Sequence, residues 1–201
     1  MPHTFHSMTR THINNRPLQD NHTINHTILN SNPKNPIQKK LLQIKQLIKL
    51  KVVVVMMFSS IIGMLISPKC YAEISKIITG TIGISLSASA SAALNHLFDK
   101  NEDIKMQRTQ SRPLATQAIP TQTALIFSIT VIALSTVILT YCNNALCAML
   151  TLATTIGYSV LYTKWLKPTT PQNIVIGGLS GAMPPLLGWT SITGEISVEP
   201  L

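Results

Sequence analysis

Five apolar runs dominate this chain, and each is close to the length of a bilayer crossing. They extend from about Ile48 to Ile66, Ala72 to Leu94, Ala124 to Tyr141, Ala145 to Tyr162 and Asn173 to Ile192. A transmembrane helix needs about 20 apolar residues. Inside a bilayer the backbone must satisfy its own hydrogen bonds, so such runs become helices whatever their propensity. Composition agrees: 45% of the 201 residues are hydrophobic and only 11% are charged, against roughly a quarter charged in soluble domains. The expected fold is therefore all-α, a polytopic transmembrane helical bundle. The first run is a little short, and snorkelling lysines can extend it. Gly80, Gly83 and the Ser/Ala series from Ser85 to Ala93 permit close helix–helix approach in the second. Asn143-Asn144 marks a tight turn between the third and fourth. Gly177, Gly178, Gly181, Pro184, Pro185 and Gly188 predict a broken or kinked fifth helix.

Outside these runs the chain is polar and basic. Residues 1–38 form a tail rich in Asn, His and Thr, expected to be disordered because it has too little apolar surface to bury. It has no apolar segment of the secretory type. Residues 39–201 make up the membrane domain, entered by an amphipathic stretch (39–51) that carries Lys39, Lys40, Lys45, Lys49 and Lys51. The net charge of +9 is concentrated beside apolar runs, as the positive-inside rule requires. With few aromatics and no nucleic-acid motif, this charge does not indicate a nucleic-acid partner. With five alternating helices, the N-terminus and the loop near 95–113 fall on the cytoplasmic or matrix side. Cys70, Cys142 and Cys147 show no metal-ligand spacing and read as packing or lipid-side thiols.

The loop after the second run carries the chemistry. Asn95, Asp99 and Asp103 are spaced i, i+4, i+8. On a helix each step turns the side chain by only about 40°, so three oxygen-bearing groups share a face. Hard oxygen ligands suit Mg²⁺, which commonly takes one or two carboxylates together with substrate phosphates. Arg108 and Arg112 repeat the spacing downstream and could grip phosphate oxygens in bidentate fashion. By spacing alone, a solvated loop with carboxylates paired to Lys100 and Lys105 is an equal alternative, and the arginines could be plain membrane anchors.

The full pattern, N-x-x-x-D-x-x-x-D-x-x-M-x-R-T-x-x-R-P-L from Asn95 to Leu114, resembles the first aspartate-rich motif of the protoheme IX farnesyltransferases (haem O synthases). These are a family within the UbiA superfamily of intramembrane prenyltransferases. A second resemblance is Tyr162-Thr163-Lys164-Trp165-Leu166-Lys167-Pro168 followed by Asn173-Ile174-Val175-Ile176-Gly177-Gly178 and Gly181-Ala182-Met183-Pro184-Pro185-Leu186-Leu187-Gly188-Trp189. A weaker one is Lys49-Leu50-Lys51-Val52, where the family has K-P-R-V. His96 stands where many other UbiA-type enzymes carry a further Asp, which favours the haem branch.

This resemblance implies transfer of a farnesyl group from farnesyl diphosphate to a vinyl group of protohaem IX. It implies Mg²⁺ at Asn95, Asp99 and Asp103, and diphosphate contacts from Arg108, Arg112, Lys164 and Lys51. Asp99, Asp103, Arg108 and Lys164 would be catalytic. The bilayer of a bacterial inner membrane, or of the mitochondrial inner membrane, is the implied location. Haem A synthase or terminal-oxidase assembly are the implied protein partners. Family members have about nine spans, so the chain to Leu201 is expected to be the N-terminal part of the domain and to hold half of the site. Two rivals are a UbiA-type enzyme acting on a quinone or chlorophyll precursor, and a non-catalytic ion-binding membrane protein. The second would normally hold its ionisable groups nearer mid-membrane.

Overall fold

The computed structural model describes residues 36–166 and 173–196. Lys40–Leu201 forms one unit. Most of the tail expected over 1–38 lies outside the described residues. Seven α-helices occur among them: α1 Pro36–Ile48, α2 Leu50–Ile66, α3 Ile74–Phe98, α4 Lys100–Lys105, α5 Thr121–Ile138, α6 Ala145–Ile156 and α7 Asn173–Thr193. Wider π-helical turns extend α5 through Leu139–Asn143 and α6 through Gly157–Leu166. No strand is present among the described residues.

Three helical segments are long and apolar enough to cross a membrane: Ile74–Phe98, Thr121–Asn143 and Ala145–Thr163. A fourth crossing results if α1 and α2, bent by 56° to each other, count as one span. The fifth expected run is observed as α7. α7 has 21 residues, but its glycines, prolines and hydroxyl residues dilute its hydropathy, and it is not among the candidate spans. Outward faces of α2, α3 and α5 expose Val55, Phe58, Leu65, Ile78, Ile126 and Ile129. Water would penalise such surfaces and lipid would not. The fold is an all-α integral-membrane bundle.

Local chemistry sets the helix ends. α1 stops at Lys49, which takes the left-handed conformation at φ 52°, ψ 54°. This is uncommon for a residue with a Cβ, and it produces the bend. α2 stops at Ser67, extended as the residue before Pro68 should be. α3 packs most extensively on α5, and α2 on α7. The small residues of α3 perform as expected. Gly80, Gly83, Ser87, Ala90, Ser91 and Ala93 are buried, Ser135 Oγ donates to the Gly83 carbonyl at 2.7 Å, and the Ser91 and Ser159 hydroxyls pair at 3.0 Å.

α7, expected to be broken or kinked, is one helix with Pro184 and Pro185 inside it. The prolines remove two backbone donors; reciprocal glycine contacts with α2 hold the segment in place. A Cβ at Gly63 would sit 2.0 Å from the Pro185 carbonyl oxygen, and one at Gly188 would sit 2.0 Å from that of Ser60. Two backbones thus touch directly.

The Asn143-Asn144 turn does more than reverse the chain. Asn144 Oδ1 accepts from Cys147 N at 2.8 Å, capping α6. Its Nδ2 donates to the Thr190 and Ser191 carbonyls at 2.8 and 3.1 Å. Asn143 Nδ2 donates to the Lys76 carbonyl at 2.8 Å, while its Oδ1 accepts from Thr79 Oγ1 at 2.9 Å. One dipeptide therefore ties the ends of α3, α6 and α7 together. The apolar core lies below, around Met64, Ile84, Leu139, Cys147, Leu187 and Ile192. The three cysteines are free; Cys147 belongs to this core and Cys142 is exposed.

Candidate functional site

The helical turn of α3 continues past its last residue. Asp99 N donates to the Asn95 carbonyl at 3.0 Å, and Asp103 N to that of Asp99 at 2.8 Å. Asn95, Asp99 and Asp103 therefore keep their four-residue register across the joint between α3 and α4. After Lys105 the chain turns extended at Met106 and folds back through 106–120. Leu114, 1% exposed, anchors this return against Leu47, Ala93 and Ala124. Thr109 is buried, and its hydroxyl donates to the Asp103 carbonyl at 3.2 Å. The arginines are thus brought back over the carboxylates.

The result is a polar cavity of about 700 Å³ lined by Lys49, Asp99, Glu102, Asp103, Arg108, Arg112 and Thr163, with Phe98, Met106 and Thr109 completing its wall. Arg112 holds the buried Asp103 carboxylate, with Nη1 2.8 Å from both oxygens. Arg108 is exposed and makes no ion pair among the described residues. Beside this cavity lies an apolar one of about 120 Å³, with Met56, Ile84, Ala88 and Leu187 in its wall and Lys49 again at its edge.

Four residues singled out from sequence, Asp99, Asp103, Arg108 and Arg112, meet at the polar cavity. Three others differ. Asn95 is 6% exposed and is not a lining residue; it lies behind Asp99. In the amide orientation that satisfies both neighbours, its nitrogen donates to Asp99 Oδ2 at 3.0 Å and its oxygen accepts from Lys49 Nζ at 3.1 Å. Thr163 Oγ1 lies 3.4 Å from the same amide. Lys51 is exposed and does not line the cavity, whereas Lys49 does. Lys49 sits at the left-handed joint between α1 and α2 and lines the cavity, while Lys51 lies exposed in the first turn of α2. Lys164 follows Thr163 in the π-helical segment, but its side chain lies outside the described residues. Glu102 is exposed, pairs with Lys105 at 3.0 Å, and also edges the cavity. Lys49 and Thr163 were the residues missed as site members. Both sit inside the motif matches, but neither carries a spacing that points inward.

Comparison with known proteins decides the lineage. Residues 56–201 match the model of the UbiA prenyltransferase family. The chain belongs to that family. Among curated relatives, it is 49% identical over 153 residues to a protein named protoheme IX farnesyltransferase from Nitrosococcus oceani, covering 76% of this chain and 51% of the relative. It is 50% identical over 151 residues to the protein of that name from Teredinibacter turnerae, covering 75% and 49%. It is 47% identical over 156 residues to protoheme IX farnesyltransferase 1 of Pseudomonas putida, covering 78% and 52%. The chain spans about half the length of these relatives. No solved structure gives a significant match. The polar cavity, with its carboxylates and arginines, lies wholly within the stretch this chain shares with the family, apart from Lys49.

Proposed function

We propose that this chain is part of a protoheme IX farnesyltransferase, which joins farnesyl diphosphate to a vinyl group of protohaem IX to give haem O. The observation that carries this reading is the polar cavity. Two aspartates, two arginines and Lys49 converge there beside an apolar space suited to the start of a prenyl chain. The names of the relatives support the choice of acceptor within the family.

The metal is tested by the donor set. Among the described residues no group of three or more His, Cys, Asp or Glu could hold an ion alone. Two carboxylates with diphosphate oxygens are nonetheless a usual Mg²⁺ environment, so Asp99 and Asp103 fit a metal held jointly with substrate. When bound, Mg²⁺ neutralises charge on the diphosphate and helps it leave. Asn95 is assigned the task of orienting Asp99 rather than of ligating metal. Arg108 and Arg112 bind diphosphate oxygens, and Arg112 must share or release Asp103 to do so. Their charges stabilise the leaving group as the bond between the farnesyl C1 and oxygen breaks. The apolar walls keep water from the allylic cation until the vinyl group attacks it. Water then adds to the resulting cation and releases a proton. Lys164 is assigned a second diphosphate contact by its place in the motif.

Lys49, Arg108 and Arg112 line the cavity, and Lys100 and Lys105 flank its aspartates along the chain, which supports a cytoplasmic or matrix-facing N-terminus and site. The test of function uses the full-length enzyme containing this chain, in membranes lacking any other haem O synthase. Haem O should form from protohaem and farnesyl diphosphate, and Asp99→Asn should lower the rate at least about 100-fold, the scale of losing one preorganised charge interaction. Wild-type rates in Asp99→Asn, or transfer to a quinone precursor instead of protohaem, would refute the assignment.

A further inference from the structure

A second polar cavity, of about 370 Å³, lies against the first and is lined by Gln46, Lys49, His96, Ser111, Arg112 and Pro113. Lys49 and Arg112 form a wall common to both. The two differ in sign. Asp99, Glu102 and Asp103 line the first, whereas no carboxylate lines the second among the described residues. The second cavity offers two cations, an amide, a hydroxyl and an imidazole.

His96 makes this more than a basic surface. The residue is 4% exposed, and its Nε2 has no hydrogen-bond partner among the described residues. Its Nδ1 lies 3.9 Å from Asp103 Oδ2, beyond hydrogen-bond reach. A buried polar nitrogen without a partner costs stability, and native folds rarely keep one without a reason. An apolar ligand would leave Gln46, Ser111 and His96 unsatisfied. A metal cation would meet the charges of Lys49 and Arg112, and the nearest carboxylate, Asp103, is already held by Arg112 at 2.8 Å. An oxyanion can accept from Lys49, Ser111, the Gln46 amide and an imidazole N–H, and it is the one ligand class that suits every lining group.

We propose that this second cavity binds an oxyanion, a carboxylate or a phosphate monoester, carried by an amphiphile. The site itself stands on the lining residues. Which oxyanion occupies it rests on the proposed reaction: the porphyrin acceptor carries two propionate carboxylates. Lys49 borders the second cavity, the diphosphate cavity and the apolar cavity alike, so a carboxylate held there brings the acceptor beside the reacting diphosphate. A lipid headgroup phosphate is the other source of the same chemistry.

The test uses the full-length enzyme containing this chain in phosphatidylcholine nanodiscs and metal-free protoporphyrin IX, read by fluorescence, so that histidines elsewhere have no iron to ligate. Protoporphyrin IX should bind at least tenfold more tightly than its dimethyl ester. The double variant Gln46→Leu/Ser111→Ala and the single variant His96→Phe, each checked for helicity and thermal midpoint, should erase that difference. Phosphatidic acid added to the discs should not compete. Competition by phosphatidic acid but not diacylglycerol, lost in the double variant, would keep the oxyanion site and assign its occupant to lipid. Equal binding of acid and ester without any phosphatidic acid effect would overturn the site, as would a preference that survives in folded variants. Failure to bind farnesyl diphosphate while the acid preference persists would fault the proposed reaction and leave this site standing.

Discussion

Gly188→Ala probes one of the two direct backbone contacts between α2 and α7. The added Cβ would lie 2.0 Å from the Ser60 carbonyl oxygen, 1.4 Å inside the 3.4 Å at which ordinary contact begins. The obstacle is backbone, so no side chain can rotate away. α2 and α7 would have to part by about an ångström. A gap of that size forfeits roughly a quarter to a half of each dispersion contact along the seam. Met64 and Leu187 contribute core side chains from these two helices. Overpacking of this kind costs about 1–3 kcal/mol, and the direct backbone clash puts Gly188→Ala near the top of that range. The internal control is Gly181→Ala in the same helix, where an added Cβ meets nothing within 4 Å among the described residues. There the change should be neutral or stabilising by up to about 1 kcal/mol. Reversible unfolding of the chain in bicelles, followed by helix separation between labels on α2 and α7, measures both. Equal effects for the two variants, or a Gly188→Ala cost within about 0.5 kcal/mol of zero, would refute the backbone-contact argument.

Asn144→Ala should destabilise the chain by about 1–3 kcal/mol, since it removes a helix cap and two hydrogen bonds to α7 carbonyls; the same unfolding assay reads it. Arg112→Lys should raise the KM for farnesyl diphosphate in the full-length enzyme, because an ammonium cannot reproduce the guanidinium fork; an unchanged KM would remove Arg112 from the diphosphate. Lys51→Met should leave that KM unchanged, while Lys49→Met should raise it, since Lys49 alone of the pair lines the cavity; the opposite order would restore Lys51 to the site.

Much of this architecture was legible because lipid permits so few solutions. The apolar runs gave helices whose cores match the observed ones, with α3 ending at Phe98 rather than Leu94 because its hydrogen bonding continues into the acidic motif. The one-face register of Asp99 and Asp103 followed from spacing alone. Long-range effects were harder to foresee. The choice of Lys49 over Lys51 depends on a left-handed backbone at one residue. The continuity of α7 through Pro184 and Pro185 depends on Gly63, more than 100 residues away in sequence. Asn95 has the spacing of a ligand, but its amide is engaged by Lys49 and Asp99, which no local pattern encodes. The Asn143-Asn144 knot is visible as a turn in sequence and as a tie between three helices only in the fold.

The central claim is that Asp99, Asp103, Arg108 and Arg112 form a metal-dependent diphosphate site. Equilibrium binding of farnesyl thiodiphosphate, an analogue with a slow leaving group, tests it most directly, using the full-length enzyme in nanodiscs with and without Mg²⁺. Binding should require Mg²⁺, and Asp99→Asn and Asp103→Asn should each weaken it at least about tenfold, equivalent to roughly 1.4 kcal/mol. Mg²⁺-independent binding that both variants retain at full affinity would contradict the account.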